Sequence, residues 1–362
     1  MKISRRSLLA GAGAAALAGC RKPEKAGDPI AEAASKLTLS PTLPPRDFHA
    51  GMSLAHVHHG DKGYGSEPCL VTLKRLVDMG VTHVSVTPFG YQPSLKGTEI
   101  RFGATMDRTM PDDSLIALSA QARSVGLKVL LKPHIWSDDF WRGKASRQDI
   151  DPGSDEGWQQ WFERYTAFAV HYARVAASMD ASTYCVGLEY LAATKQNPGA
   201  WADVAAACRA AYAGELTYAA NWWGEIDGFK DWAAYDAIGV NAYPPLSESA
   251  EPTTEELIAG WDAHLDQLDA IQSRYKLPVL LTEAGLPALK GAAARPWDQG
   301  QDGAADPDLQ ARAYEALLHT ASTRDWVKGI YFWKVLTNGG SGDPYIPAPE
   351  TERILHRWWS KA

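Results

Sequence analysis

From residue 48 onward the chain repeats one unit: a short β-branched or aliphatic run, then a longer stretch with helical spacing. The runs that predict strands are Phe48–Leu54, Thr82–Thr87, Lys128–Lys132, Ser182–Leu188, Leu216–Ala220, Ala237–Asn241, Val279–Thr282 and Gly329–Trp333. The stretches that predict helices cover residues 68–79, 112–125, 155–179, 199–211, 228–234, 253–275, 307–323 and 349–360. Strict alternation of this kind feeds a parallel sheet, because each helix returns the chain to start its next strand in the same direction. Val129-Leu130-Leu131 and Val279-Leu280-Leu281 are apolar at every position, as strands covered on both faces should be. Eight such units predict an α/β fold, a single (β/α)8 TIM barrel over residues 47–362. The competing doubly wound open sheet wants a glycine-rich nucleotide turn after its first strand, and Gly51-Met52-Ser53-Leu54 lacks that spacing. Gly80 and Gly126 follow the first two helices, where a residue at positive φ commonly ends the helix.

The first twenty residues belong to a different kind of signal. Lys2, Arg5 and Arg6 precede a Leu8–Leu17 apolar stretch that is too short to span a bilayer. Arg5-Arg6 resembles a twin-arginine export signal, and Leu17-Ala18-Gly19-Cys20 resembles a lipobox. Residues 1–19 are therefore expected to be a signal peptide, with Cys20 lipidated and residues 20–46, spotted with Pro41, Pro44 and Pro45, a tether. The expected location is the bacterial cell envelope, held to the membrane by that lipid. Arg21 stands where an Asp would suggest inner-membrane retention, which favours the outer membrane or cell surface. Cys69, Cys185 and Cys208 are expected to be inert core thiols.

A parallel barrel builds its site where the strands end. Glu189 directly follows the fourth predicted strand and Glu283 the seventh. A carboxylate next to an apolar strand is costly unless it is paired or used. Two of them across a barrel mouth can share the acid and nucleophile roles of glycoside hydrolysis. The other strand ends carry Lys132, His134 and Trp136, Asn221 and Trp222, Tyr243, and Trp333. With 14 Trp in 362 residues, the chain has aromatic faces to spare for the apolar faces of sugar rings. Trp158, Trp161, Trp201, Trp326, Trp358 and Trp359 fall in or beside helical patterns and read as packing instead. A net charge of −7, with 36 Lys+Arg against 43 Asp+Glu, disfavours a nucleic-acid partner.

These residues resemble the clan of retaining glycosidases whose two catalytic Glu lie at the ends of barrel strands four and seven. Within it the chain is most similar to glycoside hydrolase family 113, whose described activity is chiefly endo-β-1,4-mannanase. The likeness runs from about Phe48 to Trp359. It is carried by Leu131-Lys132-Pro133-His134, Gly187-Leu188-Glu189, Thr217 to Trp222, Gly239 to Tyr243, Thr282-Glu283-Ala284-Gly285, Arg295-Pro296-Trp297 with Gln310, Trp333 and Gly339-Gly340. The resemblance implies Glu189 as acid/base and Glu283 as nucleophile, working without metal or cofactor. It also implies substrate contacts from Lys132, His134, Trp136, Asn221, Trp222, Tyr243, Trp297 and Trp333, in a monomer whose partner is a carbohydrate. Tyr243 is expected to donate to Glu283, and Trp333 to stack beneath the sugar at the cleavage point. One departure stands out: the clan commonly has Asn before the acid/base, holding the sugar 2-hydroxyl, and this chain has Leu188. Asn221 or His134 could supply that contact.

Two other functions compete. A degenerate barrel could bind glycans on the cell surface without cleaving them, a reading that Leu188 keeps open. A metal-dependent hydrolase could use His56-Val57-His58 after the first strand. Such a site wants three or more ligands, and no His follows strands five, six or eight.

Overall fold

Among the described residues ten strands form, eight of them in the barrel. They are β1 (His49–Ala55), β2 (His83–Val86), β3 (Phe89–Tyr91), β4 (Lys128–Leu131), β5 (His134–Trp136), β6 (Thr183–Leu188), β7 (Glu215–Asn221), β8 (Ala237–Ala242), β9 (Val279–Ala284) and β10 (Val327–Leu336). In the computed structural model, which describes residues 39–41, 45, 47–103, 110–142 and 145–360, the barrel closes in the order β1-β10-β9-β8-β7-β6-β4-β2. Every neighbouring pair is parallel, as the alternation predicts. The expected signal peptide, Cys20 and most of the 20–46 tether lie outside the described residues. No described helix is long and apolar enough to cross a membrane.

The helices are α1 (Glu67–Asp78), α2 (Asp112–Ser124), α3 (Asp138–Arg142), α4 (Asp155–Met179), α5 (Leu191–Gln196), α6 (Ala200–Arg209), α7 (Thr254–Tyr275), α8 (Pro307–Ser322) and α9 (Pro349–Trp359). Their ends follow from local chemistry. The Ser66 hydroxyl caps α1 by accepting from the Cys69 N–H, and Gly80 takes φ of 84° just past its end. Thr253 and Glu256 form a reciprocal capping box at the start of α7. One expected helix is absent: residues 228–234 give only a 3-10 turn, Asp231–Ala234, between β7 and β8. That span is too short for a helix to gain by packing, and it is held by burial of Trp232.

Alternate residues of each strand face the bore and the helices. The helix-facing side is closed by aromatics: Trp158, Trp161, Trp201, Trp358 and Trp359 are buried, as the helical spacing predicts, while Trp326 is half-buried. Cys69, Cys185 and Cys208 are unpaired and buried. Burial pushes the thiols of Cys185 and Cys208 up to about 12 and that of Cys69 up to about 11, so they stay protonated and inert. A feature that the sequence pattern did not reveal is the small parallel pair β3–β5, with Phe89 opposite His134 and Tyr91 opposite Trp136. It extends β2 and β4 upward and raises one wall of the barrel mouth.

Candidate active site

Glu283 is the better buried of the two carboxylates. It lies within β9, its side chain 8% exposed, and both of its oxygens are in use. The Lys132 ammonium donates to Oε1, and the Tyr243 hydroxyl donates to Oε2 at 2.8 Å. Lys132 follows β4 directly, and β4 and β9 stand opposite one another in the barrel order, so its four-carbon stem reaches across the bore. It is wholly buried, and it also donates to the Thr282 carbonyl at 3.2 Å and the Asn241 side-chain oxygen at 3.4 Å. Lys132 is expected to touch the sugar; the structure shows its ammonium buried and engaged by Glu283. Burial first, and Glu283 second, push the Tyr243 phenol well above its ordinary value, so it remains a donor.

Glu189 sits one residue past β6, with its side chain 20% exposed. Arg147 Nη2 donates to Oε2 at 2.9 Å and Asn241 Nδ2 donates to Oε1 at 3.1 Å. The Asn241 amide is oriented by chemistry alone. A carboxylate only accepts and an ammonium only donates, so Nδ2 faces Glu189 and Oδ1 faces Lys132. Thr282 Oγ1 donates to that same Oδ1 at 3.0 Å. One amide and one ammonium thus connect the two carboxyls. Leu188, the residue before Glu189, is wholly buried and offers the site no polar atom.

Around this pair stand the other expected residues. His134 lies in β5 and is buried, its Nε2 4.0 Å from Glu283 Oε1 and without a hydrogen-bond partner among the described residues. Burial, reinforced by Arg147 and Lys132, holds this imidazole well below its ordinary value, so it is neutral. Trp333 is half-buried in β10; its neighbour Phe332 packs outward on Tyr314 and Trp359, which turns Trp333 toward the bore. Trp333 Nε1 is buried and unpartnered among the described residues. Trp136 meets Phe89 and Phe140 edge-on at 6.0 and 5.5 Å, on the β3–β5 wall. Trp222, just past β7, and Trp297, beyond β9, lie with ring centroids 5.5 Å apart and planes tilted by 35°, and Trp297 is 43% exposed. Asn221 ends β7 with its side-chain oxygen accepting from the Trp223 N–H at 3.3 Å.

Two residues of the site were not anticipated. Asn241 is visible at a strand end, but its bridging role depends on two strands that are distant in sequence. Arg147 lies on a 3-10 turn, Arg147–Asp149, between α3 and α4. It follows no strand, so the strand-end signal passes over it. Of the His56–His58 pair, His56 is engaged by a backbone amide. His56 Nδ1 accepts the Tyr64 N–H at 3.1 Å, which leaves the ring proton on Nε2 and no lone pair for a cation there. Among the described residues no group of three or more His, Cys, Asp or Glu could hold a metal ion.

The comparisons agree with this geometry. The model of glycoside hydrolase family 113 matches residues 55–338. No curated protein matches the chain. Among solved structures, the family 113 β-mannanase AaManA from Alicyclobacillus acidocaldarius, in complex with ManMIm, is similar at 27% identity and a TM-score of 0.75. That likeness covers 90% of this chain and 99% of the other. A family 113 β-1,4-mannanase solved as a complex is similar at 26% identity and a TM-score of 0.75, over 87% of this chain and 99% of that one. A Ruminococcus gnavus β-glucuronidase at 12% identity and a TM-score of 0.52, over 81% of this chain and 46% of its own, shares the fold alone. With the barrel closed, two carboxylates at its mouth and the family model spanning most of its length, the chain belongs to glycoside hydrolase family 113.

Proposed function

We propose that this glycoside hydrolase cleaves β-1,4-linked mannan by a retaining double displacement, with Glu283 as nucleophile and Glu189 as acid/base. The observation that carries the division of roles is the contrast between the two carboxyls. Glu283 has an ammonium and a phenol fixed on its two oxygens and little exposure, which suits a group that must attack from one direction. Glu189 is more exposed, 20% against 8%, and can exchange its proton with the leaving oxygen and then with water. In the first step a Glu283 oxygen bonds to the anomeric carbon while the Glu189 proton passes to the departing sugar oxygen. In the second a water attacks that carbon, gives its proton to Glu189 and frees Glu283. The bridge through Asn241 and Lys132 supports the close approach that a double displacement requires, roughly 5–5.5 Å between carboxyl groups. The choice of mannan rests on the solved family 113 β-mannanases to which the chain is similar.

The test uses 2,4-dinitrophenyl β-mannobioside, whose leaving group needs no protonation. Glu283→Ala should be inactive on it. Glu189→Ala should still release dinitrophenolate, and azide should restore turnover and give the β-mannobiosyl azide. Equal responses of the two variants would refute the assignment. The first-formed reducing end, followed by proton NMR, should be the β-anomer, and an α-product would rule out retention.

The export and lipidation pattern supports a further part of the proposal: the barrel, from about residue 47, works at the cell envelope, tethered through a lipid on Cys20. Cys20→Ser should then move the protein from the membrane fraction to the soluble one. Retention of that variant in the membrane would refute lipid anchoring.

A further inference from the structure

A carboxyl that the reaction does not use stands behind Glu189. Glu225, four residues past the end of β7, is 1% exposed. Its Oε1 accepts from the Tyr218 hydroxyl at 2.7 Å, and its Oε2 accepts from the Asn221 N–H at 2.8 Å. The Tyr218 oxygen in turn accepts the N–H of Tyr190 at 3.1 Å. Tyr190 is the residue after Glu189.

The backbone at Glu189 explains why such a chain of contacts matters. Glu189 has φ of 57°, in the left-handed region that residues with a Cβ rarely occupy. A conformation of this kind persists only where the surroundings over-determine it. Here two successive N–H groups are gripped, that of Glu189 by the Ala219 carbonyl at 3.0 Å and that of Tyr190 by Tyr218. Both grips come from β7. The first is backbone and cannot be mis-set. The second is a hydroxyl, which rotates unless its proton is claimed. Glu225 claims it, and so turns a lone pair of the same oxygen toward Tyr190. Space for the ring is also reserved: a Cβ on Gly187 would stand 2.8 Å from Tyr218 Cε2 and 2.6 Å from Trp201 Cζ3.

We infer that Glu225 is a positioning residue for Glu189, acting through the Tyr218 hydroxyl and the Tyr190 N–H. The same carboxyl also ties down Asn221, so one group sets two neighbouring strand ends at the cleft. Burial pushes Glu225 up to about 8, with the Asn221 N–H and the Tyr218 hydroxyl opposing the shift.

The inference rests on Glu189 being the acid/base, and its test separates the two claims. Glu225→Ala, Tyr218→Phe and Glu189→Ala are each assayed for kcat/KM on β-1,4-mannopentaose, which needs a proton on its leaving oxygen, and on 2,4-dinitrophenyl β-mannobioside, which does not. Misaiming a catalytic group by about 1 Å can cost on the order of 10²-fold. Glu225→Ala and Tyr218→Phe should lose about 10- to 100-fold on mannopentaose, yet stay within about 3-fold of wild type on the dinitrophenyl substrate. Equal losses on both substrates, or no loss on either, would overturn the inference, because a merely structural role does not distinguish leaving groups. Tyr218→Phe removes one oxygen atom and decides the matter alone if Glu225→Ala fails to fold. If Glu189→Ala shows the leaving-group selectivity and the other two do not, the positioning role fails while the acid/base reading stands. If Glu189→Ala itself is not selective, the acid/base reading is what fails.

Discussion

Lys132→Met should damage this protein more than any surface charge deletion, and by an amount the geometry sets. Lys132 is wholly buried, and its ammonium has one ionic partner, Glu283, and two weaker acceptors, the Thr282 carbonyl at 3.2 Å and Asn241 Oδ1 at 3.4 Å. Methionine fills a similar volume, so the packing term is small. What changes is charge. Glu283 would keep the Tyr243 hydroxyl on Oε2, but His134 Nε2, 4.0 Å from Oε1, lies beyond hydrogen-bond reach. Breaking a buried pair and leaving one charge uncompensated costs about 3–5 kcal/mol. At roughly 2 °C or more per kcal/mol for a domain of this size, the unfolding midpoint should fall by at least ~6 °C at pH 7. The control is the same substitution in a Glu283→Gln background, where no anion remains to be orphaned. There Lys132→Met should cost about 1 kcal/mol or less, giving a coupling of several kcal/mol between the two positions. Differential scanning calorimetry on the four proteins measures it. A loss below about 1 kcal/mol in the wild-type background, or equal losses in both, would refute the view that Lys132 is there to balance Glu283.

Other consequences are open to simpler measurements. At the floor of the barrel His49 and His83 stack with ring centroids 3.9 Å apart, and burial, reinforced by Lys328 and Lys128, lowers His49 to about 3. Burial, with His49 and Lys128 adding to it, lowers His83 to about 2. Both folded values lie below the ordinary 6.5, so below that pH the unfolded chain binds protons that the folded one refuses. Their neutral state supports the fold fully above pH ~6.5, and that support should drain away as pH falls from there toward about 3. A His83→Gln variant should show a flatter fall in midpoint between pH 7 and 4 than wild type; parallel curves would contradict this. Trp297→Ala should raise KM for mannan chains about 5- to 10-fold, the worth of one aromatic face. It should leave the unfolding midpoint within about 1 °C, since the residue is 43% exposed. An unchanged KM would remove Trp297 from the binding rim.

Much of this architecture is legible without coordinates because it is local. Strand and helix periods repeat over a few residues, so Val279–Ala284 and α4 announce themselves wherever the rest of the chain lies. The positions of Glu189 and Glu283 follow from the same reading, since a barrel gathers its strand ends whatever their spacing in sequence. The 3-10 turn at Asp231–Ala234 and the β3–β5 pair mark the limit of that reading, for elements of three or four residues carry too little periodicity to separate turn, strand and helix.

Who pairs with whom is a different kind of information. Lys132 and Glu283 are 151 positions apart, and only closure of the barrel brings the ammonium under the carboxylate rather than out to a sugar. Arg147 reaches Glu189 from a turn that no pattern flags, and Asn241 meets Glu189 and Lys132 only because the closed barrel gathers the ends of β4, β6 and β8. The sequence alone determined the barrel and the two carboxylates at its mouth, because backbone period and strand-end placement are properties of short stretches. The tertiary structure decided what holds each carboxylate, because charge balance in a buried site depends on distances between atoms that the chain brings together only when it closes.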